Sequence, residues 1–253
     1  MKSLIRNCSH GSEVYLLQET GGTGNVESMF KSSSMPEGVK NLRQELEGVN
    51  WYNSKNSKII KAVIDHETSH YISIKYDYVR GENANFQDGY WVNRNWINLA
   101  IEHYCDIWRD IAKDADALYP LHGDLSLDNF IFSGEGPVIL DWEHFLISAA
   151  PLGFDGLYLI FEALWFEVNN RAPSRKTLSH LASMIDLMGA RKCLDIKFLD
   201  NPLSQVIQFI QSHLSLWGAQ LENCRNKLPV LMFEDKAIVR IDNEIRVLIK
   251  LES

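Results

Sequence analysis

The chain has 253 residues, enough for one domain with a sizeable core and too few for two independent enzymes. A formal net charge of −8 argues against a nucleic-acid-binding surface, which needs clustered Lys and Arg. Cys8, Cys105, Cys193 and Cys224 are scattered with no C-x-x-C pair, so neither a disulfide framework nor a zinc site is indicated, and a reducing cytoplasm is the expected compartment. The N-terminus lacks an apolar signal region. The longest apolar stretch, residues 156–166, is too short to span a bilayer and contains Glu162.

Residues 1–80 read as a β-rich lobe. Strands are expected at 3–6, 13–17 and 26–31, with small-residue loops at 9–12 and 21–25. Either loop could expose backbone N–H groups to phosphates, and either could be a simple hairpin turn. A nucleotide loop between the first two strands favours 9–12, with Ser9, Gly11 and Ser12, although neither loop has the full G-x-G-x-x-G pattern. Lys31 closes the third strand. Residues 36–52 carry Val39, Leu42, Leu46 and Val49 at helical spacing, with Glu45 and Glu47 as the acidic partners available to a lysine on that strand. Two further strands are expected at 59–64 and 71–76. From 89 to 118 the pattern turns helical, with Trp96, Leu99, Ala100, His103, Ile107 and Ile111 as the expected core stripe and His103 as a satisfied core histidine.

The richest stretch is residues 121–143, LHGDLSLDNFIFSGEGPVILDWE. A polar loop ending at Asn129 runs into an apolar segment at 130–132. A Gly/Pro turn and a second apolar run follow, closed by Asp141-Trp-Glu143, which together read as a hairpin with Asn129 and Asp141 at its open end. Phosphoryl transfer needs a carboxylate to orient and deprotonate the attacking hydroxyl, and oxygen ligands to hold Mg²⁺ against nucleotide phosphates. Asp124 suits the first role; Asn129, five residues on, and Asp141 suit the second. Each alone would pass for an ordinary turn or cap residue. Together they match the kinase catalytic loop, H-R-D-x-x-x-x-N, followed by a metal-binding Asp at a strand end. Lys31 then becomes the lysine that contacts the α/β-phosphates.

HGDLSLDN followed by ILDWE resembles the aminoglycoside phosphotransferase and choline kinase-like group of small-molecule kinases. The resemblance implies an α+β, two-lobed protein-kinase-like fold, with a small antiparallel β N-lobe (1–80) and a mainly helical C-lobe (81–253) forming one catalytic unit. It implies ATP or GTP and Mg²⁺ as cofactors and a small-molecule hydroxyl as acceptor. The family's E…W-L pattern selects Glu45, six residues before Trp51, as the partner of Lys31. Asp77-Tyr-Val-Arg-Gly81 resembles the E-Y-V-x-G hinge, where main-chain groups of about Asp77 and Val79 would bond the nucleobase. Pro151-Leu-Gly-Phe-Asp155 resembles P-x-x-x-D, in which the Asp braces the catalytic loop, and His122 is likewise expected to be structural. Glu162 follows Asp155 by seven, as an acceptor-binding Glu does in choline kinases, and Glu143 is a further possible acceptor or metal contact. Gly123, Asp141-Trp-Glu143 and Ala150-Pro-Leu152 depart from the protein-kinase H-R-D, D-F-G and A-P-E patterns, which argues against a protein substrate.

Helices are expected at 174–188, 202–221 and 231–251, the last with a β-branched run that leaves a hairpin open. The resemblance covers residues 1–166 in order of parts, while its specific motifs occupy only 121–143 and Asp155. A sugar or polyol, or an aminoglycoside-like compound, is the expected acceptor; an amino alcohol and a catalytically silent binding protein are the alternatives. Nothing in the sequence marks an oligomeric interface.

Overall fold

The computed structural model describes residues 2–7, 12–21, 24–56, 60–113, 118–168, 172–217 and 228–252. The chain is α+β and divides into two compact units. One comprises Met1–Gly81 with Leu140–Leu146; the other comprises Glu82–Ile139 with Ile147–Ser253. The return of Leu140–Leu146 to the first unit was not visible as a boundary in the sequence.

The first unit is built on a five-stranded antiparallel sheet, β1 (Lys2–Asn7), β2 (Ser12–Gly21), β3 (Gly24–Ser33), β4 (Ala62–Thr68) and β5 (Tyr71–Asp77), in the order β1-β2-β3-β5-β4. Lys31 does not end its strand: β3 runs two residues further, so Lys31 sits inside the ladder opposite Val14 on one side and Ile74 on the other. The fourth strand starts later than expected. Ile60 is held outside the sheet because the Asn53 side chain takes both its N–H (2.8 Å) and its carbonyl (2.9 Å). Helix α1 (Pro36–Lys55) connects β3 to β4, opening with proline at its first turn, where the missing N–H costs nothing. It buries Val39, Leu42, Val49 and Tyr52, as its periodicity requires.

Gly48 on α1 permits a close approach: a Cβ there would lie 2.6 Å from the Cβ of Trp142 and 2.8 Å from that of Phe145. The ring of Trp142 is fully buried against Trp51 (5.7 Å between centroids) and Tyr52 (5.3 Å). The segment that carries Asp141 is thus fastened to the helix that carries Glu45.

The second unit is mainly helical, with α2 (Arg94–Trp108), α3 (Phe154–Val168), α4 (Arg175–Ala190), α5 (Pro202–Ser212) and α6 (Asp235–Glu252). A short sheet pairs β6 (Tyr119–Leu121) with β9 (Leu146–Ala150), neither of which was expected as a strand. The predicted hairpin is present as β7 (Phe130–Ser133) and β8 (Gly136–Ile139), with Phe130 opposite Ile139.

Helix α2 is shorter than its pattern suggested and rotated. A turn with positive φ at Gly89 precedes it, Asp110 with φ 61° follows it, and the buried stripe is Ile97, Ala100, Ile101, Tyr104, Cys105 and Trp108. Leu99 is exposed, and Trp96 and His103 are only half-buried. The expected stripe shared only Ala100 and Ile107 with the helix's buried residues, which also include Ile97, Ile101, Tyr104, Cys105 and Trp108, so the face that packs is turned from the one expected. At the C-terminal end the hairpin alternative falls away, since Asp235–Glu252 is one helix. Helix α5 ends at Ser212 and passes into a 3₁₀ turn, Leu214–Trp217. Asp242 of α6, itself buried, caps the start of α5 by accepting the N–H groups of Leu203 (2.9 Å) and Ser204 (3.1 Å). Among the described residues, no helix is long and apolar enough to cross a membrane.

Candidate active site

In the first unit, Lys31 lies against two carboxylates, with a third near by. Its Nζ is 2.8 Å and 2.9 Å from the two oxygens of Glu45 and 2.6 Å from Oδ1 of Asp141, while Glu143 is near enough to act on its charge. The Lys31 and Glu45 side chains are 7% and 3% exposed, and that of Asp141 22%, so the ammonium and its first partner are essentially out of water. Burial alone would push Lys31 down. Asp141, then Glu45 and Glu143, more than offset it and hold the ammonium above its ordinary value. Burial pushes Glu45 up to about 7, with Lys31 pulling the other way. One cation facing three carboxyl groups leaves the cluster short of positive charge.

Asp141 has φ 60°, a left-handed conformation that Asp tolerates better than a bulky or β-branched residue. Glu143 is half-buried, with His144 Nε2 at 3.5 Å. The sequence reading did not single out Tyr76, yet it joins this cluster. Tyr76 pairs with Met29 on β3, which puts it on the same sheet face as Lys31, two residues along. Its buried hydroxyl has no hydrogen-bond partner of good geometry among the described residues. Burial, and next the Glu45 carboxylate, hold that hydroxyl well above its ordinary range.

Of the residues expected at the nucleotide, Ser9 and Gly11 lie outside the described residues. Ser12 is buried at the first position of β2, opposite Ser33. The Asp77 N–H is taken by the Lys61 carbonyl (3.1 Å), so a main-chain contact from Asp77 would have to come from its carbonyl; Val79 is half-buried.

In the second unit, the loop from His122 to Asn129 is braced through its backbone. Asp155, 2% exposed at the start of α3, accepts the His122 N–H on Oδ2 (2.8 Å) and the Gly123 N–H on Oδ1 (3.2 Å). Gly123 has φ 89°, a conformation that glycine adopts without strain. Its carbonyl accepts the indole N–H of Trp217 at 2.7 Å, a contact across 94 residues that no local pattern announces. The Asp124 carbonyl accepts from Asn129 Nδ2 (2.6 Å) and from the Ser126 N–H (3.0 Å), and the Asp124 N–H points at His122 Nδ1 (3.3 Å). His122 itself is fully buried. Glu162 on α3 is 7% exposed and takes a hydrogen bond from the Tyr158 hydroxyl at 3.4 Å. Burial, then Asp124 and Asp128, push its carboxyl well above the ordinary range. Phe161 and Tyr158 beside it are core residues with almost no exposed surface.

Burial pushes Asp155 up to about 7 against the two backbone hydrogen bonds that favour its charged form. Its folded value is therefore above the ordinary 3.8, so the folded chain binds the extra proton between those values. The stability this group contributes is greatest at low pH and is lost as pH rises toward 7. Asp155→Asn turns an NH₂ toward one of the two amides and is expected to cost about 1–3 kcal/mol. Urea denaturation should show the gap between wild type and variant narrowing from pH 4 to pH 7.5.

No family model matches the chain, and no curated protein does. Among solved structures it is similar to one described as WaaP in complex with acyl carrier protein. The sequence identity is 12% and the TM-score 0.49, over 85% of this chain and 88% of that one.

Proposed function

We propose that the protein is a phosphotransferase that moves the γ-phosphoryl group of ATP or GTP to a hydroxyl of a small molecule. The observation that carries the reading is the buried Lys31–Glu45 pair: a lysine on the third strand joined to a glutamate on the following helix, the arrangement kinases use to hold a lysine at the α/β-phosphates. Asp124 is the base and orienter of the acceptor hydroxyl, on a loop whose main-chain bonds hold it in place. Asp155 and His122 support that loop. Catalysis comes from positioning and charge neutralisation.

The donor set suits a hard divalent cation. Asp141 is a partly exposed carboxylate in a cluster short of positive charge, and the amide of Asn129, with its Nδ2 spent on the Asp124 carbonyl, keeps its oxygen as a donor atom. Asn129 and Asp141 would hold Mg²⁺, which when bound neutralises charge on the nucleotide phosphates. Among the described residues there is no group of three His, Cys, Asp or Glu fit to hold a metal.

A sugar or polyol is the acceptor class we favour. Burial, then Asp124 and Asp128, push the Glu162 carboxyl up, which favours its neutral form. A neutral carboxyl both donates and accepts, which suits hydroxyl groups, whereas a cationic amino alcohol would want it ionised. The test is a thermal-shift series with ATP and GTP, with and without Mg²⁺, followed by ADP or GDP release over a panel of sugars, polyols and amino alcohols. A metal-dependent shift with turnover on a polyol is the expected result. Metal-dependent binding without transfer to any acceptor would mark a silent kinase-fold protein, and no shift with either nucleotide would overturn the reading.

A further inference from the structure

The second unit carries a basic concavity that none of the proposed catalytic residues lines. About 520 Å³ in volume, it is bounded by Trp91, Arg175, Lys176, Ser179, His180 and Ser183. Five of these six come from α4 at helical spacing, with Arg175, Ser179 and Ser183 on one row and Lys176 and His180 on the next. Trp91, on the turn before α2, forms the other wall.

That wall is fixed. Gly89, with φ 82°, lets the backbone pass Glu167 so closely that a Cβ would fall 2.7 Å from its Cα. The Trp91 N–H is hydrogen-bonded to one Glu167 oxygen, and the other accepts the Thr177 hydroxyl at 2.6 Å. Both oxygens of that carboxylate thus serve neutral donors.

The nearby cations lie against Trp91 itself, and Arg94 Nη1 also donates to the Trp91 carbonyl (3.5 Å). Lys176 Nζ stands 3.9 Å from the Trp91 ring centroid and Arg94 Cζ 4.9 Å from it. Among the described residues, neither these two nor Arg175 forms an ion pair with a carboxylate. Two cations at one ring and a third, Arg175, lining the same concavity, none ion-paired among the described residues, make a local positive excess in a chain of net charge −8 that an anion would relieve. His180 lines the concavity; burial and then Arg94 lower its pKa, and its Nδ1 shares a hydrogen bond with the Tyr90 hydroxyl at 2.9 Å. Ser183 spends its hydroxyl hydrogen on the His180 carbonyl (2.7 Å), leaving its oxygen only as an acceptor.

We propose that this concavity binds a phosphate ester of a sugar-sized molecule, with the phosphate on Arg175, Lys176 and Ser179 and the ring of the ligand against Trp91. An arginine fork beside a lysine suits a phosphate dianion. An aromatic wall suits the apolar face of a sugar ring. The acidic charge of the whole chain repels a polyanion such as nucleic acid while tolerating a small dianion. The site goes beyond the phosphotransfer reading and does not depend on it.

Isothermal titration at low salt with glucose 6-phosphate, inorganic phosphate and glucose tests it, on wild type, R175A/K176A and W91F. Arg175 and Lys176 are exposed, so their removal leaves the fold intact, which an unchanged melting temperature verifies. The expected result is saturable binding of the sugar phosphate, about tenfold or more weaker in R175A/K176A, the loss typical of charge-assisted hydrogen bonds. W91F should weaken the sugar phosphate but not inorganic phosphate, and glucose alone should give no heat. Equal affinity of wild type and R175A/K176A, or no saturable binding of either phosphate compound, overturns the proposal. Because no nucleotide is used, failure here is separate from failure of the phosphotransfer reading.

Discussion

Asp124→Asn is expected to lower turnover about a thousandfold while leaving Mg²⁺–nucleotide affinity within about threefold, since general-base removal costs 10²–10⁴ and touches nothing that holds the donor. The substitution is nearly isosteric. The main chain of Asp124 helps to hold the loop: its carbonyl accepts from Asn129 Nδ2 and the Ser126 N–H, and its N–H faces His122 Nδ1. The loop should therefore survive the change, and the loss should fall on kcat rather than on KM for the nucleotide. Asn129→Ala is the informative contrast. It removes the 2.6 Å bond that ties the loop to itself as well as the oxygen assigned to the metal, so affinity and turnover should fall together. Steady-state measurement of ADP or GDP release, with nucleotide affinity read separately by thermal shift, distinguishes the two patterns. An Asp124→Asn variant with wild-type turnover would remove this residue from the chemistry.

What could be read in the sequence follows from how far apart the cooperating residues lie. The loop from His122 to Asn129 and the hairpin after it were legible because their geometry is set by a few covalent bonds and a Gly/Pro turn. The hairpin is present where it was expected, with Phe130 opposite Ile139, one residue out of step with a register that pairs position 129 with 141. Lys31 was legible by order of elements, and Glu45 was chosen over Glu47 through the family's E…W-L spacing, two weaker guides that nevertheless picked side chains 2.8 Å apart.

What the sequence hid was long-range packing. Gly48 looked like an incidental helix glycine until Trp142, 94 positions later, is found against it. Trp217 gave no sign that its indole bonds the Gly123 carbonyl. Tyr76 ended an apolar strand like any other aromatic, and only the sheet register shows it beside the charged cluster. Helix α2 was misread for a related reason: the buried face is chosen by what packs on it, and Tyr104 and Cys105 went inside while Leu99 stayed out. The phosphate-covering loop is a different case, since Ser9 and Gly11 fall outside the described residues.

Lys31→Met should be the most damaging single change to the first unit, at about 3–5 kcal/mol near neutral pH, because it strands Glu45 in the interior with no cation. The dependence on pH is what separates this cause from a packing defect. Glu45 already titrates at about 7 when folded against an ordinary 4.5, burial being opposed by Lys31. Without the lysine, its folded value rises further. Between the unfolded and folded values the folded chain holds the extra proton, so stability falls as pH climbs through that window, and the window of the variant extends above that of the wild type. Urea denaturation should therefore show a small deficit at pH 5.5, where Glu45 is protonated in the variant, and a large one at pH 8.5. The double variant K31M/E45Q should recover most of the loss at pH 8.5, since removing both members of a buried pair leaves no unpaired charge behind. Turnover should stay absent in both, because the phosphate contact proposed for Lys31 is gone whether or not the fold is repaired. A deficit that is the same at both pH values, and that the second substitution does not relieve, would mean that the Lys31 stem and its packing matter here rather than its charge.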